Sequence, residues 1–186
     1  MMGQNYVNIE LSKAYKLLNT GAVGIICTRS VSGNYNMAPV AWITPMEYDP
    51  VTRVLIVLDK ENRTCRNILD TGVYAIAIPH IEQVEMIKSL GSTSGNSHDK
   101  ISELGIPTFP ATKIDVLLPK GSIGYIECKM YRSIEDESVM LMLGESVHAT
   151  VLESAFNGRL LAEKPEGKAV HHLGGKVFVT SSDKIY

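Results

Sequence analysis

A mainly β fold with short helices, closed as an antiparallel barrel, is what the sequence predicts, and three observations carry that prediction. The apolar residues fall in short Val- and Ile-rich runs bounded by Gly, Asn, Asp and Pro, which is strand patterning. The helical stretches between them are too few and too short for a repeating βαβ series. Near the C-terminal third, two long apolar segments across a polar turn read as one extended antiparallel pair.

Taken in chain order, the spacing of Leu11, Ala14, Leu17 and Leu18 predicts a short helix over 11–19, stopped by Gly21. AVGIICTR from Ala22 is the first strand, and Ser32-Gly33-Asn34 turns the chain into an extended stretch from Tyr35 to Thr44. VLIVL at 54–58 and VYAIAI at 73–78 are two further buried strands. Between them a helix starts near Asn62 and ends about Thr71-Gly72; another, marked by Ile81, Val84, Ile87 and Leu90, follows. Residues 91–120, with GSTSGNSHDK and then Pro107, Pro110 and Pro119, are expected to be a long surface loop between two sheet regions, of the kind that often carries function. SIGYIECKMY, the turn RSIEDES and VMLMLGESVHATVLE form the long pair, and KVFVT at 176–180 supplies a last strand. No repeat, low-complexity tract or linker divides the chain, so one domain over 1–186 is expected.

Composition removes several functions. Lys and Arg total 18 against 20 Asp and Glu, with no run of like charge, so the electrostatic footprint of a nucleic-acid binder is missing. Met1 to Glu10 has neither a basic n-region nor an apolar h-region, and no window approaches the ~20 apolar residues of a membrane span. A soluble, unexported and cytoplasmic protein is expected. The 3 cysteines, Cys27, Cys65 and Cys128, are odd in number and widely spaced, which argues against disulfides and structural zinc. Aromatic residues are only 6%, with 1 Trp, so Trp42 is worth following.

Three segments could carry chemistry. Asn36-Met37-Ala38-Pro39-Val40-Ala41-Trp42 has small residues that leave backbone groups open to the edge of a planar ligand, while Trp42 offers a flat apolar face; the alternative is a strand packed in the core. Lys60 to Ile68 lies at a helix start, where free N–H groups, the Thr64 hydroxyl, Arg63 and Arg66 make a site for a phosphate, or else a plain solvated cap. In Ser92 to Lys100, hydroxyls such as Ser94 and the Lys100 ammonium could wrap an anion, although no GxxxxGK[ST] pattern is present.

Other features carry less. His171 and His172 are adjacent on an extended segment and so point to opposite faces, which disfavours a shared metal. Cys65 near a helix start could have thiolate character, with a buried inert thiol as the better reading. No GxSxG elbow and no paired carboxylates in an apolar region are present, so no catalytic side chain is assigned.

In combination the segments say more. The order strand, turn, Asn-x-x-Pro-x-x-Trp, Asp-Pro, apolar strand, Asn-Arg-Thr-x-x-Asn-Ile, apolar strand ending Ile-Pro, then Ser-Gly-x-x-x-Asp-Lys resembles the flavin reductase-like FMN-binding family and, within it, the flavoredoxins. The resemblance extends from about Leu11 to Phe178, through Glu127-Cys128-Lys129, Leu143 to Val147 and Leu173-Gly174-Gly175. It implies an FMN-binding split β-barrel, six strands in Greek-key order with added helices, usually a homodimer with FMN near the subunit interface. By the same resemblance Asn36 and Trp42 are ring contacts, with Ala38, Pro39, Val40 and Ala41 between them meeting the ring edge. Arg63, Thr64 and Lys100, with Ser94 as a weaker addition, would hold the phosphate.

The implied function is an FMN-dependent oxidoreductase that moves electrons from reduced nicotinamide, NAD(P)H, or from a redox-protein partner through FMN. The alternative is an FMN-binding electron carrier without small-molecule turnover. His171-His172-Leu173-Gly174-Gly175 matches the family's nicotinamide-associated C-terminal pattern only in part, and no GxGxxG follows a strand. A nicotinamide donor would therefore have to stack on the flavin in an open cleft.

Overall fold

The chain, described here over residues 7–18 and 21–181 of a computed structural model, forms eleven strands and three α-helices. The strands are β1 (Gly24–Arg29), β2 (Tyr35–Val40), β3 (Ile43–Glu47), β4 (Arg53–Asp59), β5 (Val73–Ile78), β6 (Thr108–Pro110), β7 (Leu117–Pro119), β8 (Gly124–Asp136), β9 (Val139–Val151), β10 (His171–Gly174) and β11 (Val177–Val179). The helices are α1 (Arg63–Thr71), α2 (Val84–Ser92) and α3 (Lys100–Glu103), with 3-10 segments at Leu11–Leu17, Ile81–Gln83, Glu153–Ala155 and Pro165–Gly167.

Seven strands make one sheet in the order β2-β1-β5-β8-β9-β4-β3, with every neighbouring pair antiparallel. Within it β4, β9, β8 and β5 lie side by side in Greek-key order, because the chain leaves β4 through α1 and returns to pair β5 with β8. The two edge strands, β2 and β3, are consecutive in the chain and joined only by Ala41-Trp42. That two-residue link brings the edges together and curls the sheet into a split barrel. The single extended stretch expected from Tyr35 to Thr44 is thus corrected to two strands, and the main sheet has seven strands rather than the implied six.

The apolar runs are explained by burial on both strand faces. In β1, Ile26 points into the barrel with Ile56, Ile68, Tyr74 and Met142, while Ile25 and Cys27 point outward beneath Ile87, Leu90 and Leu118. β5 divides the same way, with Tyr74 and Ile76 inside and Ala75 and Ala77 outside. Strands buried on both faces lose the polar alternation of half-exposed ones. β4 keeps it: Val54, Ile56 and Leu58 are buried and their neighbours are not.

Several boundaries move. The N-terminal helix is a 3-10 helix over Leu11–Leu17 with no buried residue, and Asn19 lies outside the described residues. The helix expected from Ile81 begins as a 3-10 turn, Ile81–Gln83, before α2 takes over. RSIEDES is mostly strand, and the turn of the long pair shrinks to Glu137-Ser138, where Glu137 takes a positive φ of 46°. KVFVT pairs with β10 in a separate ribbon instead of extending the sheet.

Residues 91–120 depart furthest from expectation. They contain α3 and the β6–β7 hairpin, and they bury Ile106, Val116 and Leu118 in the core. The tether is Glu127 of β8, 1% exposed, whose carboxylate accepts the N–H groups of Thr112, Lys113 and Ile114 at 2.8, 2.6 and 3.2 Å. A buried carboxylate needs that many donors, and the loop supplies them from its own backbone.

Candidate functional site

The N-terminus of α1 is where the site begins. Asn62 is its N-cap residue in extended conformation, but the Asn62 side chain makes no cap bond, so the first-turn N–H groups have no side-chain partner there. At the other end Gly72 adopts φ 71° and returns its N–H to Ile68, a left-handed stop that few side chains tolerate. Thr64, Cys65, Asn67 and Ile68 fix one face of this helix against the barrel.

A buried polar network sets the geometry beneath the helix start. Asn36 of β2 donates its amide to the Thr64 hydroxyl oxygen at 2.9 Å, and Asn67 donates to Thr28 at 3.0 Å. Thr28 in turn reaches the Asn36 carbonyl at 3.5 Å. With its oxygen held as an acceptor, the Thr64 hydroxyl proton is free to point toward the solvent side. Asn67 belongs to the Asn-Arg-Thr-x-x-Asn-Ile motif, but its bond to Thr28, which no motif marks, arises only once β1 and α1 are packed together.

Seven of the ten predicted cofactor-binding residues line one cavity of about 310 Å3: Asn36, Ala38, Pro39, Arg63, Thr64, Ser94 and Lys100. They come from three separated segments, and Asn62, Leu90, Gly91, Ser92, Thr93 and Gly95 complete the wall. Arg63 makes no hydrogen bond or ion pair with any described residue, so its guanidinium remains available. Asn36, expected at a ring edge, sits here among the anion-type groups.

Lys100 is 5% exposed, and its Nζ donates to the carbonyls of Met37 at 3.1 Å and Leu90 at 2.9 Å. Two of its three N–H donors therefore tie β2 to α2, leaving one for the cavity. Burial lowers its pKa below the ordinary lysine value.

Val40, Ala41 and Trp42 fall next door. With Pro39 they line a second cavity of about 300 Å3, opposite His172, Gly174 and Gly175. Pro39, Val40 and Ala41 also line a third, more apolar cavity of about 400 Å3 with Ile87, His172 and Phe178. Pro39 belongs to all three, so the cavities form one trough with a polar end at α1 and an apolar end under the β10–β11 ribbon. Trp42 is 50% exposed, and Tyr15 packs against it edge-on with ring centroids 6.1 Å apart. Tyr15 was missed from sequence because nothing local links it to residue 42.

The ribbon orients one histidine: His172 lies 5.3 Å from the Phe178 ring and its Nε2 is 3.0 Å from the Gly175 carbonyl. Arg66, the other arginine of the predicted phosphate segment, is turned away and donates to the Glu61 carbonyl at 2.6 Å. Cys65 is buried, and burial raises its thiol pKa, so it holds no thiolate for chemistry.

Trp42, the 36–41 segment and the pocket at the start of α1 thus lie side by side on a split barrel. The flavin reductase like domain model matches residues 18–166, and the chain belongs to that family. It is 30% identical over 184 residues to the uncharacterised protein YddH of Escherichia coli, covering 97% of each chain. Its fold is similar to that of an FMN-binding domain of a flavin reductase-like enzyme from Shewanella baltica, with TM-score 0.78, 23% identity and 96% and 95% of the two chains covered. The flavoredoxin of Desulfovibrio vulgaris is similar as well, with TM-score 0.79 and 22% identity over 89% of each chain.

Proposed function

We propose that the chain binds FMN along this trough and serves as an FMN-dependent oxidoreductase of the flavin reductase type, taking electrons from reduced nicotinamide or a redox protein. The observation that carries the reading is the single cavity in which segments 36–39, 63–64 and 92–100 converge on an uncapped helix N-terminus. FMN matches it part for part. A phosphate dianion suits free N–H groups, the unpaired Arg63 guanidinium and the Thr64 proton, and the ring suits Trp42 and the apolar cavities. When bound, the flavin supplies the hydride and electron chemistry, and the protein contributes position and electrostatics.

Each residue then has a physical task. Asn36 holds the Thr64 oxygen so that its proton faces the cavity, and Lys100 keeps Met37 and Leu90 in place so that the Ala38-Pro39 backbone lies along the ring edge. His172, fixed by Gly175, sits across from Trp42 where a donor would approach. Homodimerisation is part of the proposal, supported by exposed Met46, Tyr48, Tyr131, Ile134, Val147 and Val151 on β3, β8 and β9 and the loop after β3.

Anaerobic stopped-flow mixing of the FMN-loaded protein with NADH and NADPH tests the activity. Rapid loss of the flavin's visible absorbance is expected with one of them. No bleaching with either would leave an electron carrier, and failure to bind FMN at all would remove the proposal.

A further inference from the structure

The N-terminal segment touches the trough without being packed into the fold. Its 3-10 helix, Leu11–Leu17, buries no residue and has no side-chain cap at its start. Seven residues is long for a 3-10 helix, and a helix with no packed face has little to hold it in place. Leu11, Leu17 and Leu18 are all exposed.

The root and the tip of this segment lie on opposite walls of the 300 Å3 cavity that holds Trp42. At the root, the Gly21 carbonyl accepts the His172 N–H at 3.3 Å, Ala22 bridges to His171, and the Val23 N–H donates to the Val170 carbonyl at 3.1 Å. That fixes the root beside β10. Tyr15 reaches the other wall, where its ring meets the Trp42 indole at 75°. It lines the cavity with Trp42 on one side and His172, Gly174 and Gly175 on the other. The segment therefore runs across the mouth of the cavity.

A single half-exposed aromatic pair is a light fastening. Tyr15 is 44% and Trp42 50% exposed, so the contact can open by local motion while the barrel stays intact. A flat ligand in the cavity shifts that balance toward closure. It offers the Tyr15 ring a second apolar surface beside the indole, and closing over it removes apolar area from water on both sides.

We propose that residues 7–18 form a strap that closes over the flavin ring, with Tyr15 as its clasp, and that this strap governs how quickly flavin leaves the site. The proposal rests on the FMN reading and concerns the ring end of the trough, since Tyr15 does not line the 310 Å3 phosphate-type cavity.

FMN release from the loaded protein, followed on dilution by stopped flow as the recovery of flavin fluorescence, tests it in the variants Tyr15→Ala and Tyr15→Phe. Tyr15→Ala is expected to speed release at least fivefold, while Tyr15→Phe, which keeps the ring and its edge contact, stays within twofold of the parent. The urea midpoint of the flavin-free protein is expected to be the same in all three, because the segment buries no residue. Release from Tyr15→Ala at the parent rate would overturn the strap and leave the FMN reading standing. So would release from Tyr15→Phe as fast as from Tyr15→Ala, or a lowered urea midpoint in Tyr15→Ala, which would make Tyr15 a prop of the fold. If the parent binds no FMN, the FMN reading fails and the strap falls with it.

Discussion

Thr64 concentrates the argument at the scale of single residues. Its oxygen accepts from Asn36, which leaves its proton for the phosphate in the proposed complex, so Thr64→Ala should remove one charge-assisted hydrogen bond, about 1.5–3 kcal/mol. FMN affinity should fall about ten- to hundredfold, while riboflavin, which lacks the phosphate, should bind the variant as it binds the parent; equal losses for both would place the phosphate elsewhere. The cysteines give a second expectation. All three are buried and free, and burial raises each thiol, Cys128 to about 12, so at neutral pH almost no thiolate forms. Alkylation should modify none in the folded protein and all three in denaturant, and fast labelling of Cys65 would contradict the buried assignment. The 36–42 and 62–68 motifs were readable in the sequence because each lies within a few residues. The Asn36–Thr64 bond, across 28 residues, and the Lys100–Met37 bond, across 63, were not, since strand pairing and helix packing create them.

Among the elements, the strand runs were readable because β1 and β5 are apolar on both faces, whereas the breaks were not. Nothing in the Tyr35–Thr44 stretch announces that it serves two edges of one sheet; that follows from barrel closure at Ala41-Trp42. Likewise the Pro-rich 91–120 region looked like free loop because its anchor, Glu127, lies in β8. Packing between elements makes a further expectation. A Cβ at Gly144 of β9 would come within 2.1 Å of the Tyr74 hydroxyl and 2.8 Å of its ring, deep in the barrel. Gly144→Ala should therefore destabilise the fold by about 1–3 kcal/mol in urea unfolding. The Tyr74 hydroxyl, buried beside the Cys128 thiol, is the atom nearest that Cβ, so adding Tyr74→Phe should recover part of that loss. A Gly144→Ala protein as stable as the parent would mean that β5 and β9 sit farther apart.

For the whole molecule, the trough couples ligand to stability, since it joins β2, α1, α2 and the C-terminal ribbon. FMN at a hundred times its dissociation constant should add about 2.7 kcal/mol, a rise of roughly 5–10 °C in Tm for a domain of this size. An unchanged Tm would mean that no such coupling exists. Sedimentation at micromolar concentration should give a dimer, and a monomer there would leave the exposed residues of β3, β8 and β9 without the proposed role. No helix among the described residues is long and apolar enough to cross a membrane. The scarcity of aromatic residues gives the flavin assignment a direct optical test, because the single Trp42 lies in the trough and reports on whatever occupies it. In a fluorescence titration of the flavin-free protein, FMN should quench Trp42 emission saturably at one equivalent per chain. Emission that stays unchanged through a full equivalent of FMN would contradict a flavin site along Asn36 to Trp42.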